Sequence, residues 1–218
     1  MRLDLRSEQP NPPDLAKQKH ALRRVALNGR SVQRVVERDP ATIDGIVIHQ
    51  TACVFGKRRG QPSRHHRALG VACHALAFND GTAVLANPLR WLVWHGNGFN
   101  SRSLGLEIEG RFPGLVGKPS TLAAEPETPV TALLLDTARD ALRWLVEEGR
   151  SEGMPLRYVW AHRQSSPTRR SDPGEALWLA LLPTFAELGL EVQPALVLNS
   201  KSGAGRPIPE AWGGAGPY

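Results

Sequence analysis

The chain reads as an α/β protein with a single domain, a mixed central β-sheet flanked by helices. Three observations lead there. Ile43-Asp44-Gly45-Ile46-Val47-Ile48-His49-Gln50-Thr51 is a β-branched run without the alternation of a half-exposed edge, as expected of a strand covered on both faces. A later stretch places Val130, Leu133, Leu134, Thr137, Ala138, Ala141, Leu142 and Leu145 at helical spacing, forming one apolar stripe. Strand-like and helix-like segments are interleaved between them. With 218 residues, 41% of them apolar, one domain with tails can bury a sizeable core.

In chain order, residues 1–38 read as a lead-in. Pro10, Pro12 and Pro13 stand among polar residues, and Asp14 is placed to cap a short basic helix over 15–27, with Leu15, Leu22, Val25 and Ala26 on one side. Its Lys17, Lys19, His20, Arg23 and Arg24 form either a solvated face or a patch that touches an anionic polymer. Asp39-Pro40 breaks the chain and opens the main domain, 39–188. After the first strand comes a basic loop, Lys57-Arg58-Arg59, and then His65 and His66, read as surface histidines because adjacent helical residues diverge.

Residues 71–85 read as a hairpin about Asn79-Asp80-Gly81, a turn that supplies positive φ. Trp91–His95 is an aromatic segment that enters a Gly-rich loop. Leu104–Gly110 alternates with period two, so Glu107 and Glu109 share one face and Leu106 and Ile108 the other. Two such carboxylates are either solvated or, beside a metal, a source of general base. The helix should start at Thr128-Pro129 and stop at Gly149. A short strand then ends at His162, and a second helix covers 175–182. Residues 189–218 are rich in Gly and Pro and read as an extended tail.

His162 and Asp172 stand ten residues apart across a Ser/Pro/Thr/Arg loop, and His49 ends another apolar strand. Two histidines and an aspartate, with one position left for water, are what a catalytic zinc site requires. The formal charge of +6 and pI near 9.9 favour an anionic partner. Without an RNP-type motif, zinc-finger spacing or a long Lys/Arg tract, nucleic acid is not the expected one. Neither a secretory signal nor an apolar run long enough to span a bilayer is present, so the expected location is cytoplasmic. Cys53 and Cys73 could pair or stay free, reduced thiols being the plainer reading.

The motifs also fall in a recognisable order: Ile48-His49-Gln50-Thr51, the hairpin with Asn-Asp-Gly-Thr, Trp94-His95-Gly96-Asn97-Gly98, Asn100 with Ser103-Leu104-Gly105-Leu106-Glu107-Ile108-Glu109-Gly110, and Ala161-His162-Arg163 with Ser-Pro-Thr-Arg-Arg-Ser-Asp-Pro-Gly. From Ile43 to Trp178 this series resembles the zinc-dependent N-acetylmuramoyl-L-alanine amidases of type 2. That family includes phage lysozyme-type amidases, an anhydro-muropeptide recycling amidase and the peptidoglycan recognition proteins.

The resemblance implies a mixed sheet with Zn2+ at one end, and hydrolysis of the amide between N-acetylmuramic acid and L-alanine of peptidoglycan. It implies His49, His162 and Asp172 as the metal ligands and Glu107 as the group assisting the metal-bound water. Arg170 stands where the family has a lysine that supports the oxyanion, and Cys73 where the phage branch has a tyrosine. Trp94, Asn100, His74 and His95 match cleft positions, the two histidines being equally readable as packed structural residues. The expected partner is peptidoglycan or a muropeptide, acted on by a monomer, in an endolysin-like role with release through a holin or in wall recycling. The alternative within the same fold is a module that binds peptidoglycan without cleaving it.

Overall fold

In a computed structural model, the described residues are 1–9, 21–28, 30–119, 126–214 and 216. The chain folds into a mixed sheet of seven strands, flanked by helices. The strands are β1 (Arg2–Asp4), β4 (Gly45–Gln50), β5 (Ala75–Ala77), β6 (Ala83–Leu85), β7 (Ser103–Ile108), β8 (Tyr158–Ala161) and β9 (Glu191–Val192). Their order is β1-β6-β5-β7-β4-β8-β9. β5, β7, β4, β8 and β9 run parallel, while β6 is antiparallel to β5 and parallel to β1. A separate hairpin joins β2 (Leu22–Leu27) to β3 (Arg30–Val35), and a small one joins β10 (Asn199–Ser200) to β11 (Gly203–Ala204).

The interior strand β4 is buried at all six positions, as its β-branched run requires. Period two then divides the strands. Ile46, Ile48, Leu104, Leu106, Ile108, Val159 and Ala161 join the main aliphatic core. That core is completed by α1 (Ala132–Ser151), through Leu134, Ala138, Ala141, Leu142 and Leu145, and by α2 (Glu175–Glu187), through Leu177, Trp178, Leu181 and Phe185. The opposite face carries Val47, Phe99 and Trp160, with Phe99 stacked on Trp160 at 4.6 Å between ring centroids.

Several sequence expectations are corrected here. The basic helix over 15–27 is not what 22–27 form: Leu22–Leu27 pair with Arg30–Val35, and Asn28 takes a φ of 48° in the connection. Asn28-Gly29 is a hairpin signal that the i, i+3, i+4 spacing of Leu22, Val25 and Ala26 obscured. Asp14, Leu15, Lys17, Lys19 and His20 lie outside the described residues.

Residues 2–5 are no loose lead-in: β1 lies in the sheet and Leu5 is buried. α1 begins at Ala132, where the Thr131 side chain accepts from Leu134 N–H at 3.2 Å. Gly149 lies inside that helix, where a Cβ would come within 2.6 Å of Leu156; it serves packing, not termination. Leu133, expected on the apolar stripe, is exposed.

The largest correction concerns the expected tail. Ile208 and Trp212 are fully buried in the main core, and the Trp212 indole N–H donates to Gly114 O at 2.5 Å. A Cβ on Gly205 would lie 2.0 Å from Gln164 O, and one on Gly214 2.3 Å from Ile208 O. These glycines permit close backbone contact, and composition alone could not distinguish that from flexibility.

Candidate metal centre

The parallel strands β4, β7 and β8 carry the site at their C-terminal ends, on the face away from α1 and α2. His49 and Glu107 are register partners on β4 and β7, and His162 follows β8 at the start of a 3-10 turn. The loop after that turn returns Asp172. His49, His162 and Asp172 are all buried, and their donor atoms lie within 4.8 Å of one another.

His49 Nδ1 is 2.9 Å from His162 Nδ1, which is 2.9 Å from Asp172 Oδ2. The other carboxylate oxygen, Oδ1, accepts from Gln50 N–H at 2.9 Å, fixing the rotation of the carboxylate. Gln50 also clamps the neighbouring loops. Its side chain donates to Phe112 O and Ser171 O and accepts from Phe112 N–H. Sequence reading missed Gln50, although its place directly after a strand-end ligand was a usable signal.

Behind His49 stands His95. His49 Nε2 is 3.1 Å from His95 Nδ1, and His95 Nε2 is 3.3 Å from Ser103 O. The pattern assigns the protons. His95 Nε2–H donates to the carbonyl, so His95 Nδ1 accepts from His49 Nε2–H, leaving the lone pair of His49 Nδ1 free. Burial among cations and histidines holds His95 neutral, its pKa lowered to about 3, and His49 well below the ordinary value.

Zinc suits this donor set. Tetrahedral ligands at zinc bond lengths are about 3.3 Å apart; two of the spacings here are 2.9 Å, and all three donor atoms lie within 4.8 Å of one another. Two neutral imidazole nitrogens and a carboxylate oxygen converge, and the acceptor on the far nitrogen of His49 orients that ring as metal-binding histidines require.

Glu107 Oε1 is 4.0 Å from His49 Nδ1. Its other oxygen, Oε2, is buried with no hydrogen-bond partner among the described residues. Burial, reinforced by Asp172 and opposed by Arg169, raises the Glu107 carboxyl well above its ordinary pKa. A carboxyl in that setting can take up and release a proton at the site. Glu109, expected either in solvent or beside the metal with Glu107, is instead fully buried in an ion pair. It pairs with Arg64 and accepts from the Phe55 and Asn79 N–H groups.

The loop presents two arginines differently. Arg170 supplies a carbonyl to the Arg163 guanidinium at 2.5 Å. The charge that bears on His49 and Glu107 is that of exposed Arg169, which sequence reading had passed over.

The other expected cleft residues separate. His74 is fully buried: its Nδ1 accepts from Gly105 N–H at 2.9 Å, and its Nε2 is 3.1 Å from Trp91 O. It is packed structure. Asn100 is buried and takes Gly96 N–H on its side-chain oxygen at 2.6 Å, whereas Trp94 is 44% exposed. His65 and His66 meet Asp80 and Glu8 near the surface. Cys53 and Cys73 are not joined in a disulfide, and burial raises the Cys73 thiol well above its ordinary value. No helix of the described residues is long and apolar enough to cross a membrane.

Comparison with known proteins places residues 39–175 within the family model described as N-acetylmuramoyl-L-alanine amidase. No curated protein sequence matches the chain. Among solved structures, the N-acetylmuramoyl-L-alanine amidase LysC from Clostridium intestinale is similar at 19% identity and a TM-score of 0.48, over 70% of this chain and 89% of that one. Drosophila PGRP-LB is similar at 16% identity and a TM-score of 0.49, over 83% and 92%. Bumblebee PGRP-SA is similar at 17% identity and a TM-score of 0.47, over 80% and 89%.

Proposed function

The chain belongs to the N-acetylmuramoyl-L-alanine amidase family, and on that premise we propose that it is a zinc-dependent hydrolase of the amide joining N-acetylmuramic acid to L-alanine in peptidoglycan. The observation that carries this reading is the convergence of His49 Nδ1, His162 Nδ1 and Asp172 Oδ2 beside Glu107, a half-buried carboxyl whose Oε2 has no hydrogen-bond partner among the described residues. A module that only binds needs neither the donor set nor a carboxylate beside it.

His49, His162 and Asp172 would hold the metal. Bound there, zinc supplies Lewis acidity and a water acidified toward neutral pH. The remaining work falls to the chain's own side chains. The Gln50 N–H holds Asp172 in one rotation, and His95 holds the ring of His49. Glu107 would accept a proton from the attacking water and return it to the leaving amine of alanine, a transfer that its place 4.0 Å from His49 Nδ1 suits. The developing oxyanion is assigned to the cationic loop: Arg169, whose charge bears on His49 and Glu107, and Arg170, which stands at the position of the family's lysine.

The deciding experiment measures zinc in the purified protein and the release of L-alanine-terminated stem peptide from peptidoglycan, with and without a chelator. One zinc per chain with chelator-sensitive release is expected. Zinc without release would establish the binding module instead, and absence of zinc would remove the ligand set.

A further inference from the structure

His49 and His162 are each followed by a residue that turns back to the segment bearing Asp172. The Gln50 side-chain amide donates to Ser171 O at 2.6 Å. Arg163 holds the carbonyls on either side of that one. Its guanidinium donates to Arg170 O at 2.5 Å, and its backbone N–H donates to Asp172 O at 3.2 Å. The carbonyls of residues 170, 171 and 172 are thus fixed in succession by the residues next to the two histidines. Asp172 is tied to both strand ends at once.

The Arg163 side chain is itself held. It is fully buried, and a guanidinium taken out of water is costly unless its surroundings replace that water. Part of the replacement is the Trp212 ring, whose centroid lies 5.1 Å from the guanidinium carbon, a stacked arrangement that suits arginine better than lysine. Trp212 is fixed in turn. It is fully buried, its indole N–H donates to Gly114 O, and its ring centroid is 6.2 Å from that of Trp178. Arg163 O also accepts from Arg206 N–H at 2.8 Å, so the C-terminal segment grips this residue by backbone as well as by ring.

We infer that Arg163 is a positioning residue for Asp172, setting the reach between that carboxylate and His162, with Trp212 as the platform that keeps Arg163 in place. The inference rests on the metal reading of His49, His162 and Asp172. An aspartate on a loop of Ser, Pro, Thr and Arg residues has many positions open to it. Ordering it in advance removes an entropy cost that metal binding would otherwise meet. A residue that merely filled the core could be any long apolar side chain. One that positions Asp172 must donate to Arg170 O, and that difference is what can be measured.

The test is chelator competition for zinc with the full chain, paired with thermal melting of the metal-free protein. Arg163→Met keeps a long side chain and removes its donors. Zinc affinity should weaken by about tenfold or more, as for other residues that hold a metal ligand in place. Arg163→Lys, which restores an ammonium donor without the planar fork, should fall between that variant and the wild type. Leu142→Ala, a change in the aliphatic core, should lower the melting temperature yet leave zinc affinity within about twofold of wild type. Should Arg163→Met fail to fold, Trp212→Phe carries the test: it retains every Arg163 donor, shrinks the platform and should weaken zinc binding severalfold. Wild-type affinity in Arg163→Met, or in Trp212→Phe where it stands in, would overturn the inference. An equal loss in Leu142→Ala would do the same, because the effect would then be one of stability. A wild-type chain that binds no zinc would instead overturn the metal reading first, and this inference with it.

Discussion

The two faces of the central sheet are made from the same strands and follow different rules. Toward the helices, Ile46, Ile48, Leu104, Leu106 and Val159 form a dry aliphatic layer. One residue away along each strand, Val47 and His49, Gly105 and Glu107, and Trp160 and His162 face loops instead of helices. There, side chains are held by named polar contacts as well as by packing. The aliphatic face tolerates exchange in proportion to volume, whereas the opposite face depends on particular atoms. Stability should therefore follow the first face and chemistry the second.

The sharpest break in that contrast is to exchange one residue on each face. Asp172→Ala removes a donor and the partner of Gln50 N–H and His162. Since even outer-shell partners of a metal are worth about 10–100-fold in affinity or activity, zinc content and turnover should both fall to background. Leu106→Ala should instead cost about 2–5 kcal/mol of stability, with zinc retained by the folded protein. Metal analysis and urea unfolding of both variants decide it; an Asp172→Ala protein that kept stoichiometric zinc would refute the ligand assignment.

Within the polar face, Glu107→Gln separates holding the metal from moving the proton. Zinc should stay, and turnover should drop by about 10²–10⁴-fold. A near-normal rate would place the base elsewhere. Smaller, and more diagnostic of the supporting layer, is Gly105→Ala. The added Cβ would lie 2.8 Å from the His95 ring, and His95 must then shift from His49. Zinc affinity measured by chelator competition should weaken by about tenfold or more, with β7 still in the sheet. Unchanged affinity would show that His95 does not orient His49.

The same two faces explain what could be read in advance. The strands around His49 and Glu107 and the stripe of α1 were legible because local periodicity encodes them. His49, His162 and Asp172, which the fold brings together, could be picked out as candidates because strand-end histidines and a following Asp loop keep their chemistry whatever the packing. What escaped depends on distant contacts. β1 has three residues, too few for a period, and pairs with a strand some 80 positions later. Gly205 and Gly214 look like linker residues until the backbone each one touches is known. Arg169 and Arg170 are indistinguishable as letters; only the path of the loop decides whose charge reaches Glu107.

The smallest effect on chemistry should come from the basic surface, where residues 22–27 of the expected helix proved to be a strand of the β2–β3 hairpin. Arg24, Arg30, Arg58 and Arg59 are all exposed, and none belongs to the proposed ligand set; Arg23 is left in place because it lies over Trp94. Replacing the four by glutamine removes four of the 27 Lys and Arg residues and leaves both faces of the sheet as they are. Cleavage of a soluble muropeptide should then be unchanged within about twofold, since scattered surface substitutions shift stability by only about 0.5 kcal/mol. Cleavage of whole anionic walls should fall severalfold at about 0.1 M salt. The deficit should vanish near 1 M, where the screening length shrinks from about 10 Å to about 3 Å. Equal losses on both substrates would mean that these arginines act at the site, and a deficit indifferent to salt would mean that the wall is held by something other than charge.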